Sequence, residues 1–165
     1  DKAEAVFRET WPAIYDWWQR EDLRGRLIAR ADQGHYFWEL RSCAYYHAFE
    51  EPKVFIPAIE QRVAYAADSE GFYGNGESSI IDTKRWRLLL AMCNSAISWW
   101  LTKQEFSSKA GGFYEFKPMY VGKLPVPSLS QECEAAIDLL VDAIIADADR
   151  TRLEALINAL VYELF

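Results

Sequence analysis

The sequence predicts an α+β domain with a small antiparallel sheet, a buried Trp-rich helix and a C-terminal pair of amphipathic helices. In the first half of the chain, apolar residues recur at every second position, as at Tyr36, Trp38 and Leu40, which is the period of a strand. After Asp82 they recur with the period of a helix. Strands followed by helices are typical of an α+β fold.

A single domain is expected for 165 residues, of which 51% are hydrophobic, because such a chain can bury a core of its own. We expect a lead-in helix in residues 1–24 and a strand-rich core with the buried helix in residues 25–128. A helical hairpin is expected in residues 129–165. The chain begins at Asp1 without Met, so we expect a fragment of a longer protein.

The lead-in helix is indicated by signals near its start. Thr10 is a candidate N-cap, Pro12 suits the first turn, and Ile14 and Trp18 share one face. The charged stretch around Gly25 is expected to end the helix.

Strands are expected between residues 34 and 68, followed by a tight turn. Pro52 and Pro57 bracket a short apolar run at residues 53–56. Asn75 followed by Gly76 is favoured in a type I′ turn.

Helices are expected in the rest of the chain. The first is capped by Asp82, runs to about Lys103 and is apolar nearly all round, so it should be buried. Two amphipathic helices follow, and Thr151 with Glu154 forms a capping box for the second. Their apolar stripes are Cys133, Ile137, Leu140, Val141, Ile144 and Ala148, and then Leu153, Leu156, Ile157, Leu160, Val161 and Leu164.

The net charge of −7, taken alone, argues against a nucleic-acid partner. Its distribution is uneven. Residues 126–165 carry two basic and eight acidic side chains, whereas residues 20–125 carry fourteen basic and thirteen acidic ones. The middle of the chain is therefore able to present a basic face, although an ordinary mixed surface fits these charges at least as well.

Three widely spaced cysteines, Cys43, Cys93 and Cys133, indicate reduced thiols in a cytoplasmic protein better than a disulfide framework. His35 and His47 share no ligand spacing with them, so a zinc site is not expected. The sequence has no run of about eighteen apolar residues, so a membrane span is not expected.

A catalytic motif is not visible in this sequence. The Asp/Glu-x-Lys triplets at Glu51, Asp82 and Glu115 are of a kind that holds Mg²⁺ in nucleases, but the required upstream Pro-Asp is missing. The sequence has no Pro-Pro dipeptide, which excludes the Asn/Asp-Pro-Pro-aromatic motif by which amino-methyltransferases hold a flipped base. It also shows no phosphate-cradling glycine loop and no Ser/His/Asp or Cys/His arrangement.

The stretch SSKAGGFYEFKPMYVGKLPVP, at residues 107–127, is the main candidate site. Lys109 and Lys117 are candidates for phosphate contacts, and Gly111 and Gly112 for close approach of backbone N–H groups. Tyr114 is a candidate for stacking on a base. A tight surface turn with incidental lysines is the simpler interpretation of the same residues.

Two other functions fit parts of the sequence. Aromatic residues such as Phe72 and Tyr73, near Glu70, Asn75 and Glu77, would suit a sugar site. The acidic C-terminal helices would suit a protein-interaction or scaffold domain that docks a partner.

Six short motifs occur in the order found in one known family. They are Trp38-Glu-Leu-Arg41, Phe49-Glu-Glu-Pro-Lys-Val-Phe-Ile56, Phe72-Tyr73 with its turn, Leu88-Leu-Leu-Ala-Met-Cys-Asn-Ser95, Gly111-Gly112 with Leu124-Pro-Val-Pro127, and Val161-Tyr-Glu-Leu-Phe165. Over residues 11–165 the chain thus resembles the TaqI-like C-terminal specificity domain of adenine-N6 DNA methyltransferases. That family includes type IIG restriction-modification enzymes and related phage-defence methyltransferases.

The resemblance implies a target-recognition domain that helps clamp double-stranded DNA against an N-terminal methyltransferase domain of the same protein. An adenine would be flipped out and methylated there from S-adenosylmethionine, so this cofactor is expected on that other domain and none in this chain. Asn75 would present an amide that suits adenine, although a turn-forming role is the stronger interpretation. The expected DNA-binding residues are of three kinds. Phosphate contacts are expected for Lys53, Lys109 and Lys117, close backbone approach for Gly111 and Gly112, and base or sugar contacts for Tyr73, Asn75 and Tyr114.

Overall fold

The computed structural model of the chain describes residues 2–41, 44–146 and 149–165. These residues form two compact units, one up to Tyr45 and the other Tyr46–Phe165. Helices and two small antiparallel sheets confirm the α+β prediction. The expectation that the whole chain acts as a single domain stays a prediction. Cys43 and Ala148, which figured in the sequence interpretation, lie outside the described residues.

The helices and strands occupy the following ranges. The helices are α1 Lys2–Thr10, α2 Pro12–Trp18, α3 Glu21–Ile28, α4 Trp86–Asn94, α5 Ala96–Glu105, α6 Pro118–Val121, α7 Gln131–Ile145 and α8 Arg150–Glu163. The strands are β1 Lys53–Ile56, β2 Ile59–Glu60, β3 Ala66–Asp68, β4 Ser79–Asp82, β5 Ser108–Lys109 and β6 Phe113–Glu115. None of the helices described is long and apolar enough to cross a membrane.

The first unit contains α1, α2 and α3 and is held by aromatic contacts. The ring of Phe7 lies 5.5 Å from that of Trp18 and 5.4 Å from that of Trp38. Pro12 occupies the first turn of α2 as predicted, but Thr10 ends α1 and Trp11 is the N-cap of α2. Gly25 lies inside α3, so the expectation that the helical pattern stops there is wrong.

The predicted strand at residues 34–41 is also wrong, because this segment is a tight loop. Tyr36 and Trp38 stack at 4.7 Å instead of alternating along a strand. The Arg30 guanidinium donates hydrogen bonds to the backbone carbonyls of Phe37 and Glu39, at 3.2 and 2.6 Å. These carbonyls therefore accept hydrogen bonds from a side chain, which is not the pairing of a strand. The remaining strand-like feature in this segment is an isolated bridge between residues 33 and 40.

The core of the second unit lies between the first sheet and the helices. That sheet has the order β3-β1-β4, with β1 in the centre and both neighbours antiparallel to it. Helix α4 packs against β1, β3 and α7. Val54 from β1, Leu88 from α4 and Ile137 from α7 are at most 1% exposed, which marks this layer as the core.

The long helix predicted from Asp82 to Lys103 is two helices. It begins only at Trp86, and it breaks at Ser95, whose extended backbone ends α4 while its hydroxyl caps α5 by accepting from the N–H of Ser98. The preceding Asn94 side chain bonds to both backbone groups of Tyr65, at 3.1 Å to its N–H and 2.9 Å to its carbonyl. This amide side chain therefore ties the end of α4 to a neighbouring extended segment.

The C-terminal pair of amphipathic helices is confirmed in α7 and α8, which pack on each other. Val141 and Val161 on their apolar stripes are buried, whereas Leu156 is 46% exposed. The predicted capping box is wrong. Asp149 is the N-cap of α8, and its carboxylate accepts from the N–H of Arg152 at 3.3 Å.

Candidate nucleic-acid interface

The candidate loop is the tip of a short β-hairpin, residues 108–115, and we call these residues together with Lys117 the Gly-Gly hairpin. β5 pairs with β6 so that Lys109 lies opposite Phe113, and β2 pairs with the other edge of β6. A three-residue turn, Ala110–Gly112, connects β5 and β6. The hairpin thus belongs to a second sheet of order β2-β6-β5, and its tip is exposed.

Backbone conformation explains the two glycines of this tip. Gly111 and Gly112 have φ values of 79° and 78°, which side-chain-bearing residues rarely adopt. A Cβ on Gly112 would meet no atom within 4 Å, so its φ alone requires glycine. The Gln61 amide fixes the tip from the β2 side by donating to the Gly111 carbonyl at 2.9 Å. Close approach of these glycines to a ligand stays a prediction.

Both candidate lysines contact one carboxylate. The Nζ of Lys109 lies 3.4 Å from Glu115, and the Nζ of Lys117 lies 3.1 Å from the other oxygen of the same group. A hydrogen bond from Lys117, reinforced by the charge of Lys109, holds the pKa of Glu115 below its usual value. The lysine side chains are 45% and 55% exposed, so the structure places two accessible cations side by side.

The surroundings of the Gly-Gly hairpin are locally basic. Residues 59–62 and 99–123 carry five Lys or Arg against three Glu, a local charge of +2 in a chain of net charge −7. Lys103 and Lys123 lie over the rings of Trp99 and Tyr120, at 5.6 and 6.0 Å from the ring centroids. The predicted basic face stays a prediction, and these residues are its candidate location.

The ring of Tyr114 packs against the protein and does not point outward from the tip of the hairpin. Its ring makes an edge-to-face contact with Trp99 of α5, with 5.4 Å between ring centroids. It is only partly buried and also packs against the core of the unit. Stacking of Tyr114 on a base stays a prediction, and the existing contact with Trp99 already gives the ring a structural role.

Lys53 corrects the sequence interpretation, which assigned it a phosphate contact. It is 0% exposed in the centre of the first sheet. Its Nζ donates to the carboxylate of Asp68 on β3 and, at 2.6 Å, to the carbonyl of Phe49. A buried ammonium with two internal acceptors does not reach a DNA backbone. The alternating pattern around Lys53 gave no sign of this, because its partner lies 15 residues along the chain.

Tyr73 and Asn75 lie on the loop between β3 and β4, away from any Lys or Arg in sequence. Tyr73 is 57% exposed and stacks on Phe49 at 5.0 Å. Asn75 forms a turn, because its side-chain oxygen accepts from the N–H of Glu77 at 3.0 Å and its carbonyl accepts from the N–H of Ser78 at 3.2 Å. The type I′ turn is wrong, since Gly76 is not among the described glycines with positive φ.

The charge near this loop opposes contact with phosphates. Residues 46–52 and 69–78 contain four Glu and no Lys or Arg. Exposed aromatics among carboxylates are the arrangement that the sugar-site interpretation expected, and sugar binding stays a prediction. DNA contacts by Tyr73 and Asn75 also stay predictions, and the local charge favours the Gly-Gly hairpin over this loop.

Sequence reasoning missed two residues of the hairpin arrangement. Glu115 was seen only as part of a nuclease-like triplet, although its spacing of two from Lys117 signals a shared face on a strand. Gln61 had no sequence signal, because its contact with Gly111 spans 50 residues. Within the described part of the chain, no three His, Cys, Asp or Glu side chains are grouped to hold a metal ion.

Comparison with known proteins relates the chain to a described family. The sequence model of a family described as the TaqI-like C-terminal specificity domain matches residues 18–126. This range includes the Gly-Gly hairpin and the first sheet, but it leaves out α1 and the two C-terminal helices, so it is shorter than the resemblance drawn over residues 11–165. No curated protein matches the chain closely enough to count as a relative.

Proposed function

The chain belongs to the TaqI-like C-terminal specificity domain family, and from this membership we propose that it is a DNA target-recognition module of a larger adenine-N6 DNA methyltransferase or type IIG restriction-modification protein. The observation that carries the DNA-binding part of this proposal is the Gly-Gly hairpin. There two exposed lysines flank a glycine tip in the basic part of an acidic chain.

The Gly-Gly hairpin has the chemistry of a phosphate contact. Lys109 and Lys117 present ammonium groups within reach of one another, and neutralising phosphates with such groups supplies most of non-specific DNA affinity. The tip is held by Gln61 and by strand pairing on both edges of β6, so little order has to be gained on binding. Phosphate contacts of this kind set the position of a protein on the duplex, while other side chains read the bases.

The acidic helices do not oppose this role as strongly as the net charge suggests. On α7, Glu134 makes two 2.8 Å hydrogen bonds with Arg85, and Asp142 lies 2.6 Å from Arg87. Both carboxylates are thus compensated within the chain. Repulsion between exposed charges and a duplex is also screened beyond about 8–10 Å at physiological salt.

The rest of the proposed assembly follows from the family. A methyltransferase domain of the same protein would carry S-adenosylmethionine and the catalytic residues, and this chain would help to clamp the duplex against it. We place the protein in the cytoplasm, where such an enzyme meets DNA, and assign it a role in restriction-modification or phage defence.

Binding to a fluorescently labelled duplex tests the proposal. We expect the chain to bind the duplex, with an affinity that falls as salt rises. The Lys109→Ala/Lys117→Ala variant should bind every duplex more weakly and lower the log–log salt slope by about two, since each phosphate contact contributes about 0.9. An unchanged affinity and slope in this variant would remove the hairpin from the interface.

A second candidate function is a protein contact through the C-terminal helices. Leu139 on α7 is 72% exposed and Tyr162 on α8 is 60% exposed. A contiguous apolar patch formed by such side chains would mark a protein interface. Self-association through them should appear in light scattering without DNA, should persist at high salt, and should be lost in a Leu139→Ser/Tyr162→Ser variant.

A further inference from the structure

We infer that Glu115 acts as an internal competitor of the DNA backbone, in that its carboxylate occupies the ammonium groups of Lys109 and Lys117 and so restrains the affinity of the Gly-Gly hairpin for duplexes of any sequence. The inference rests on the proposed function, because it assigns a regulatory role to a residue within the same site.

The strand register places Glu115 between the two lysines. Lys109 lies opposite Phe113, and Glu115 follows two residues later on β6, so the side chains of Lys109 and Glu115 are diagonal neighbours on one face. Lys117 follows after a further two residues, and Phe116 between them is buried. The alternation of an extended chain therefore directs Glu115 and Lys117 to the same side.

The contacts show that the carboxylate engages both cations at once. One oxygen of Glu115 lies 3.1 Å from the Nζ of Lys117 and the other lies 3.4 Å from the Nζ of Lys109. Glu115 is the least exposed of the three residues, with its side chain 18% exposed, whereas those of Lys109 and Lys117 are 45% and 55% exposed. The charge seen from outside is thus that of two cations shared with one anion.

A phosphate and this carboxylate compete for the same donors. Both are oxygen anions that accept charge-assisted hydrogen bonds from ammonium groups. A phosphate that approaches the tip must draw Lys109 and Lys117 away from Glu115 or share them with it, and the uncompensated carboxylate then repels the phosphate. Binding is consequently weaker than two unpaired lysines would give.

Restraint of this kind serves a domain that has to discriminate between sequences. The contribution of phosphate contacts to the binding free energy does not depend on the DNA sequence, and it supplies essentially all of non-specific binding. Because a genome offers a large excess of non-specific sites, a weaker phosphate contribution leaves less of the protein held on them, and base contacts then supply a larger part of the binding free energy at the correct site.

The test compares single-charge variants on a labelled duplex of arbitrary sequence. Glu115→Gln should bind about three- to tenfold more tightly than the wild-type chain at low salt, as expected for the loss of two exposed ion pairs. Its salt dependence should be steeper by up to about one unit. Glu115→Thr removes the same charge with a residue favoured in strands and should behave alike. The matched control is Glu163→Gln, which changes net charge equally at an exposed position at the end of α8 and should change affinity less than twofold.

A double-mutant cycle separates this inference from the proposed function. In the Lys109→Ala/Lys117→Ala background, Glu115→Gln should have no effect beyond that of Glu163→Gln, since the competitor has lost the cations on which it acts. If Glu115→Gln weakens binding, the carboxylate orients the lysines for DNA and the inference is overturned. It is equally overturned if Glu115→Gln matches Glu163→Gln while the lysine variant still loses affinity. If the lysine variant keeps full affinity, the Gly-Gly hairpin is outside the interface and the inference fails while DNA binding stands, whereas a wild-type chain that binds no duplex overturns the proposed function.

Discussion

Lys53, the first residue of β1, and Asp68, the last residue of β3, form an ion pair in which neither residue is more than 7% exposed. The Asp68 carboxylate also accepts from the backbone N–H groups of Glu70 and Phe72, at 2.8 and 2.9 Å. The pair therefore joins β1 and β3 to the start of the loop that carries Phe72. Its role is structural, in contrast to the exposed lysines of the Gly-Gly hairpin.

Removal of either Lys53 or Asp68 should destabilise the fold strongly, because it leaves the other charge buried and unpaired. We expect Lys53→Met to lower the free energy of unfolding by about 3–5 kcal/mol, whereas Lys117→Met, at an exposed pair, should change it by less than about 1 kcal/mol. Urea denaturation of both variants measures the difference. A Lys53→Met/Asp68→Asn double variant should regain part of the loss, because the Asn side chain is neutral and still offers an oxygen to the backbone N–H groups of Glu70 and Phe72. A protein no less stable with Lys53→Met alone would contradict the buried pair.

The ion pair also predicts how stability depends on pH. Burial alone would raise the pKa of Asp68, but the hydrogen bonds from Lys53 and from two backbone N–H groups together hold it below its usual value. A carboxyl with a lower pKa in the folded than in the unfolded state stabilises the fold above its unfolded pKa of about 3.9, and this contribution is lost as pH falls through the folded pKa.

We therefore expect the free energy of unfolding to be nearly flat between about pH 7 and 5 and to fall below about pH 4. Urea unfolding at a series of pH values checks this. Asp68→Asn should be less stable throughout and should lose less stability in acid than the wild-type chain. Identical acid dependence in the two proteins would show that Asp68 does not contribute to it.

Tyr65 carries a buried hydroxyl that has no hydrogen-bond partner among the described residues. The residue is 5% exposed, and burial raises the pKa of its hydroxyl. Because an unsatisfied buried polar group costs about 1–3 kcal/mol, Tyr65→Phe should raise the free energy of unfolding by about 1 kcal/mol. Tyr162→Phe, at an exposed site, should change it by less than about 0.5 kcal/mol. Destabilisation by Tyr65→Phe would indicate a partner for this hydroxyl.

The tip glycine Gly112 should resist substitution for a reason of backbone conformation. Gly112→Ala places a side chain at a φ of 78° and should lower the free energy of unfolding by about 1–2 kcal/mol, although the added Cβ meets no atom within 4 Å. Gly76→Ala is the matched control, because its Cβ also meets nothing while its φ is not positive. Equal effects of the two substitutions in thermal unfolding would contradict the left-handed tip.

Local patterns predicted the elements whose signals are local. The apolar stripes of α7 and α8 were predicted from the helical period of their apolar residues. The glycine turn between Lys109 and Lys117 was predicted from the spacing of these residues. The break at Ser95 was missed because its cause is distant, in that Asn94 bonds to Tyr65 across 29 residues.

Prediction of the candidate site was limited in the same way, because its contacts also join residues that are distant in sequence. Lysines on the Gly-Gly hairpin were found from composition and spacing, but burial of Lys53 depends on Asp68 and on pairing of three strands. The acidic setting of Tyr73 was present in the sequence and was outweighed by the resemblance. Long-range pairing, rather than residue type, therefore decides which of the candidate residues are accessible to a ligand.

The location of the duplex on the protein tests the central claim most directly. Amide chemical shifts of the isotopically labelled chain, followed during titration with an unlabelled duplex, should change most at Lys109, Gly111 and Gly112 and little along α8. Titration with an oligosaccharide serves as the comparison for the sugar interpretation. Shift changes confined to α7 and α8, or to the loop that carries Tyr73, would contradict DNA binding by the Gly-Gly hairpin.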